Sequence, residues 1–176
     1  LEAKVHYLVE EGIPSIHAKI QLRSTEEVQL FCIHPTPPVP QENPRSTERD
    51  KELLLIAELA KTSTKPVVVC GDLNDVAWSY TTDLFQKMSG LLDPRRGRGF
   101  FNTFHAKIPF LRFPLDHVFC STDFTLIKVA RLQNSGSDHF PMYIKLQYEP
   151  KAVLVHDEPQ PTAAEEQIAQ EKLEKE

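Results

Sequence analysis

Apolar and polar side chains alternate strictly between Ser15 and Leu22, with Ile16, Ala18, Ile20 and Leu22 set against His17, Lys19 and Gln21. That is the period of a half-buried strand. Val28–Ile33 is apolar on both sides, as a central strand covered on two faces is. With turns at Glu11-Gly12 and Ser24–Glu26, residues 4–33 are expected to form three strands. Five prolines between Pro35 and Pro44 exclude regular structure there. Thr47 and Asp50 then fit a capping box, and Leu53, Ile56, Ala57 and Ala60 recur at helical spacing. After Pro66, Val67–Cys70 reads as a short buried strand, and a second helix is expected from about Ser79 to Met88. Further strands are expected at Leu115–Ser121, Phe124–Leu132 and Met142–Tyr148. The Arg- and Gly-rich connection over 90–113 is long enough to suspect a functional loop. Residues 150–176 turn to Glu, Gln, Ala and Pro, which predicts an acidic, disordered tail with transient helix near its end. Strands interleaved with two convincing helices indicate a mixed α/β domain over residues 1–149.

Composition narrows this only slightly. At 176 residues, 40% hydrophobic and 26% charged, the chain is an ordinary globular domain. A net charge of −5 argues against a protein that coats nucleic acid, although an enzyme can hold one phosphate without a basic surface. Cys32, Cys70 and Cys120 are odd in number and set among apolar residues, so buried free thiols are expected rather than a disulfide frame. No apolar run approaches the ~18 residues of a membrane span. The compartment is left unknown: a soluble domain is expected, and attachment to a membrane segment upstream stays open. The chain starts at Leu1 and enters strand-like sequence almost at once, so a missing N-terminal part is expected.

Four groups of residues carry candidate chemistry. Gly71-Asp72-Leu73-Asn74 ends a buried strand; on extended chain Asp72 and Asn74 would point the same way, able to bind a hard cation or orient water. The same residues read equally well as an Asx-rich turn into the next helix, capped by Asp75. In Ser137-Asp138-His139 the adjacent Asp and His face opposite ways, offering a metal carboxylate and a phosphate-contacting imidazole. Asp116 lies in an apolar strand where an unpaired carboxylate would be costly, so a partner is required: a histidine held in one tautomer, or backbone. His34 ends the central strand, where either a core histidine or a catalyst fits.

In this order the four groups resemble the endonuclease/exonuclease/phosphatase superfamily, which includes pancreatic-type deoxyribonucleases, abasic-site endonucleases, sphingomyelinases and inositol-polyphosphate phosphatases. The stretch from Ile13-Pro14-Ser15-Ile16-His17 to His34-Pro35-Thr36-Pro37-Pro38 looks like a bacterial branch of it, and the resemblance covers about residues 4–148. It implies two packed β-sheets flanked by helices, a deoxyribonuclease-like β-sandwich, N-terminally incomplete here. It also implies roles. Asp72 would deprotonate the attacking water and Asn74 would hold a phosphate oxygen. His139 would contact the scissile phosphate, its ring fixed by Asp116. His34 would serve the leaving group, and Asp138 would join a Mg²⁺ or Mn²⁺ site. The implied partner is a phosphoester: nucleic acid, phospholipid headgroup or small phosphoester. No stable protein partner is expected.

The family's first metal ligands, an Asn and a Glu, lie upstream of the segment present here. Glu10 and Glu11 are the nearest carboxylates, but they sit before a Gly turn that does not suit the role. An incomplete metal site, an exposed sheet edge or apolar face, and little activity from these residues alone are therefore expected. A catalytically incomplete member acting as a binding module is the alternative. Arg95, Arg96, Arg98 and Arg112 are candidates to grip phosphate, with Asn102 and Thr103 adding hydrogen bonds; a solvated basic loop is the plain reading. Trp78 either lines the cleft or packs.

Overall fold

The computed structural model describes residues 2–37 and 47–174. The proline-rich stretch from residue 38 to 46 lies outside them. Seven strands form two sheets. The larger holds β1 (Glu2–His6), β2 (Ser15–Gln21), β3 (Glu27–Ile33), β4 (Val67–Asp72) and β5 (Asp116–Cys120), in that order. Its pairings are antiparallel except β3–β4, which is parallel and connected through α1 (Thr47–Lys61). The smaller pairs β6 (Phe124–Arg131) with β7 (Met142–Tyr148). The expected two-sheet α/β architecture is what the chain adopts.

One face of the large sheet makes the main core. Phe31, Ile33, Val67, Val69 and Phe119 pack against Leu53, Ile56, Ala57 and Ala60 of α1 and Phe85 of α2 (Tyr80–Ser89). Helix α2 is fixed at both ends: the Ser79 hydroxyl accepts from the Thr82 amide at 3.0 Å, and Gly90 closes it in a left-handed conformation (φ 73°). Among the described residues the opposite face is covered only at one end, where Val28 and Cys120 meet Phe124, Leu146 and Tyr148. Towards β1 it is open, leaving Val5 56% and Ile16 45% exposed. On that face the register sets Cys32 directly beside Cys70, their sulfurs 3.7 Å apart.

Two expectations are overturned. Thr47 is the first helical residue of α1, and among the described residues the Asp50 carboxylate is a junction of helices rather than a cap. The Asp50 carboxylate is buried and accepts from Arg49 Nη2 (3.0 Å), Thr81 Oγ1 (3.2 Å) and Lys172 Nζ (2.6 Å). It thereby ties α1 to α2 and to a third helix. That helix, α3 (Ala163–Glu174), stands where a disordered tail was expected. Thr162 and Glu165 form a reciprocal capping box. Ala169 is buried against Leu54 and Leu84, with Ile168 and Leu173 alongside, and Lys87 binds Glu165 at 2.6 Å. The polar composition misleads because a few well-spaced apolar residues suffice to dock a short helix on two others.

Candidate active site

Strand β4 ends against β3 at a position where only glycine fits. A Cβ on Gly71 (φ 154°) would lie 1.8 Å from the Ile33 carbonyl oxygen. This close approach sets the end of β4, and Asp72, beside the end of β3, and His34. Leu73 is fully buried beneath.

The carboxylate of Asp72 is the hub. His34 Nε2 lies 3.8 Å and His139 Nε2 3.6 Å from Asp72 Oδ2. On its other side the His139 ring donates from Nδ1 to Asp116 Oδ2 at 2.7 Å. Four residues distributed from position 34 to 139 thus converge around one carboxylate. Register explains part of it, since Asp72 and Asp116 are direct cross-strand partners on the same sheet face. His139 arrives from a separate segment, bridged to Phe104, whose ring lies 5.0 Å from the imidazole.

Burial raises the Asp72 carboxyl above its ordinary range, and the nearby charge of Asp116 adds to this, against the amide of Asn74, which donates to Oδ1 at 2.9 Å. His139 is raised as well. Burial opposes its charged form, but the hydrogen bond to Asp116 and the charges of Asp116, Asp72 and Asp138 outweigh that penalty.

Asn74 departs from the reasoning that singled it out. The strand stops at Asp72, and Asn74 turns into a left-handed conformation (φ 49°) that asparagine tolerates. Its Nδ2 donates to the Pro35 carbonyl at 3.0 Å, joining this turn to the segment behind His34. Asp138 is exposed; Ser137 Oγ donates to it at 3.3 Å, and its own amide and that hydroxyl hold its carboxyl low. Asn102 and Arg112 share a cluster next to His139. Arg131 donates to the Asn102 carbonyl at 2.9 Å, and Arg112 and Arg131 lie 5.0 and 4.3 Å from the Phe140 ring. Asn102 Oδ1 and Arg112 Nε are buried without a hydrogen-bond partner among the described residues.

Arg95 is removed from the candidate phosphate grips. It is buried, holds Asp93 through Nη2 at 2.8 Å, donates to the Asp116 carbonyl at 2.9 Å and to His117 Nδ1 at 2.7 Å. His117 in turn donates from Nε2 to the Asp75 carbonyl at 2.9 Å, and burial with the Arg95 charge lowers its pKa to about 4. The histidine beside Asp116 is thus a neutral brace. Arg49, unmarked by any sequence signal, donates to the Asn74 carbonyl at 2.8 Å and so supports the turn from behind. Glu10, set aside on sequence grounds, accepts from the Thr36 hydroxyl just beyond His34. Trp78 is 57% exposed, edge-on to Phe100 at 5.2 Å, in a cleft of about 370 Å³ that also includes Arg96. It packs against Phe100 in a cleft that His34, Asp72, Asp116 and His139 do not line.

Among the described residues no three His, Cys, Asp or Glu side chains come together to hold a metal ion. The donors present therefore do not fit a cation by themselves.

Residues 1–139 match the model of the Endonuclease/Exonuclease/phosphatase family. No curated protein matches the sequence. Among solved structures, the chain is similar to the human Nocturnin catalytic domain with bound sulfate (16% identity, TM-score 0.64, 84% of this chain and 59% of that one). It is also similar to D. rerio TDP2 complexed with single strand DNA product (17%, TM-score 0.65, 84% and 67%). A third is the Bacteroides thetaiotaomicron mannosyl-6-phosphatase Bt3783 (20%, TM-score 0.55, 77% and 57%). At these identities the likeness is one of fold, and the chain spans between 57% and 67% of their lengths.

Proposed function

Because the chain belongs to the endonuclease/exonuclease/phosphatase family, we propose that its site serves hydrolysis of a phosphoester by in-line attack of water, with Asp72 as the base. The observation that supports this reading is the convergence of His34, Asp72, Asp116 and His139, with Asp72 Oδ2 within 3.8 Å of both imidazole Nε2 atoms. A carboxylate made more basic by burial is suited to taking a proton from water near neutral pH. His139, charged and anchored through Nδ1 to Asp116, presents its Nε2 hydrogen to a phosphoryl oxygen where negative charge develops. Its ring cannot turn away without breaking that anchor. His34, the most exposed of the four, serves the leaving group. The second Nδ2 hydrogen of Asn74 binds a phosphate oxygen, and Arg112 and Asn102, clustered around Phe140 beside His139, hold the rest of the substrate.

Dependence on Mg²⁺ or Mn²⁺ belongs to the proposal, with Asp138 as this chain's carboxylate for it. The remaining ligands have to come from outside the described residues. Nocturnin, TDP2 and the mannosyl phosphatase differ in what they are shown with or named for, so the substrate class is not fixed by fold.

The test is hydrolysis of bis(p-nitrophenyl) phosphate, with and without Mg²⁺ or Mn²⁺, by a protein carrying these residues. Asp72→Asn is expected to lower kcat by roughly a hundred- to ten-thousandfold. Equal rates for variant and wild type overturn the reading. A second reading, a catalytically incomplete binding module, is favoured by the missing three-ligand cluster. It predicts binding of a phosphodiester analogue with no turnover at any metal concentration.

A further inference from the structure

The segment between Asp93 and Asp116 is unlike the rest of the molecule. In a chain of net charge −5, residues 94–115 contain no acidic residue and five basic ones, Arg95, Arg96, Arg98, Lys107 and Arg112. Only Arg95 is buried among them. Within this segment Lys107-Ile108-Pro109-Phe110-Leu111-Arg112 sets four apolar residues between two cations. Their apolar side chains do not fold inward. Phe110 is 96% exposed and Leu111 52%, with Ile108 and Phe113 also on the surface. Burying such groups is favourable at about 25 cal/mol per Å², so an exposed cluster of them marks a contact surface.

The tip is built, not loose. His105 donates its amide to the Leu111 carbonyl at 2.8 Å, Leu111 to Ile108 at 3.2 Å, and Lys107 to His105 Nδ1 at 3.1 Å. Its base is fastened to the catalytic segment: Ala106 donates to the Asp138 carbonyl at 2.6 Å, and Phe104 is bridged to His139. The hairpin therefore runs from the histidine of the site to an apolar point ringed by positive charge.

We propose that this 105–113 tip docks on an anionic lipid surface. An apolar point can sink into the headgroup boundary while Lys107, Arg112 and the neighbouring Arg131 meet lipid phosphates. Docking sets His139 beside phosphoesters presented at that surface, which makes a membrane-borne phosphoester the substrate class; that last step rests on the hydrolytic reading above, whereas docking does not. Nucleic acid fits the same cations less well. Single-strand binders combine a basic track with stacking rings, and here aliphatic Ile108, Pro109 and Leu111 outnumber the exposed Phe110 and Phe113 rings at the tip. The exposed Asp138 follows the base of the hairpin, where its carbonyl accepts from Ala106, and it adjoins the site rather than the tip.

The test is co-sedimentation of the chain with vesicles, either phosphatidylcholine alone or equal parts phosphatidylcholine and phosphatidylglycerol. Wild type is expected to bind the anionic vesicles and not the neutral ones. The double variant Phe110→Ser with Leu111→Ser is expected to bind about tenfold more weakly. Circular dichroism checks its fold, and Phe110→Ser alone, at a side chain with almost no packing to lose, is expected to show the same direction. Ile16→Ser, on the open sheet face, is expected to bind as wild type, which excludes that face as the sticky surface. Asp72→Asn is also expected to sediment as wild type; wild type that binds the anionic vesicles yet hydrolyses no phosphoester marks failure of the catalytic reading alone. Anionic binding undiminished in the double variant overturns docking. So does equal binding to neutral vesicles, or tip-dependent binding to a single-stranded oligonucleotide in place of vesicles.

Discussion

Asp116 and His117 are consecutive in one strand, yet alternation sends them to opposite faces, and each finds its partner far away in sequence. Asp116 meets His139 from a segment 23 positions on, while His117 is clasped between Arg95 and the Asp75 carbonyl. Sequence reasoning correctly requires a partner for a carboxylate in an apolar strand. It cannot choose between the histidine next door and a distant one, because the choice is made by how the 132–141 segment folds back. The pairing has a pH consequence. Catalysis by the proposed route needs Asp72 charged and His139 protonated, so the rate falls as pH drops through the Asp72 pKa and again as it rises through that of His139. Both are raised, which moves the profile upward from the ordinary carboxylate and imidazole values. Asp116→Asn removes the charge that holds His139 up and raises Asp72, leaving at most a neutral acceptor for Nδ1. Both limbs of kcat/KM against pH are then expected to move to lower pH. Limbs that stay put would sink the assigned roles.

At the scale of elements, the strands and both main helices were legible because their periods are clean, and the boundaries shift by only a residue or two. What periodicity does not convey is how helices are fastened. Asp50 reads as a helix cap and is instead a buried junction of three helices. Glu52, two positions along, is a sharper case. It is buried on α1, its Oε1 lacks a partner among the described residues, and burial with the charge of Glu10 lifts its pKa to about 7. With the folded pKa above the unfolded value, the stabilisation is fully present below about pH 4.5 and is lost as pH rises through about 7. Glu52→Gln is therefore expected to raise stability at pH 8 by roughly 1–3 kcal/mol and to change it little at pH 4.5. Urea unfolding at the two pH values measures this, and an equal shift at both would show that the carboxylate's charge is not the cause.

For the molecule as a whole, the sequence conveys the family and the two-sheet plan but not how unevenly the sheet is covered. Among the described residues one face is filled by α1 and α2, the other only where β6 and β7 reach it. An alternating strand such as β2 announces that one side is apolar; it does not say whether anything lies on that side. The segment after residue 149 shows the opposite error, since polar composition hides a helix docked through Ala169 and Lys172.

The paired thiols of Cys32 and Cys70 turn the open face into something that can be read chemically. The hydrogen bond from Cys70 lowers the Cys32 thiol below its ordinary value, which favours its thiolate, whereas burial pushes Cys120 up to about 12. Iodoacetamide at pH 7 followed by peptide mass spectrometry is expected to label Cys32 well ahead of Cys120; equal rates would contradict the assignment. The rate at Cys32 then serves as a gauge. Any strand, partner or second copy that comes to rest on this face must slow the alkylation, and so reports its arrival without a probe having to be added.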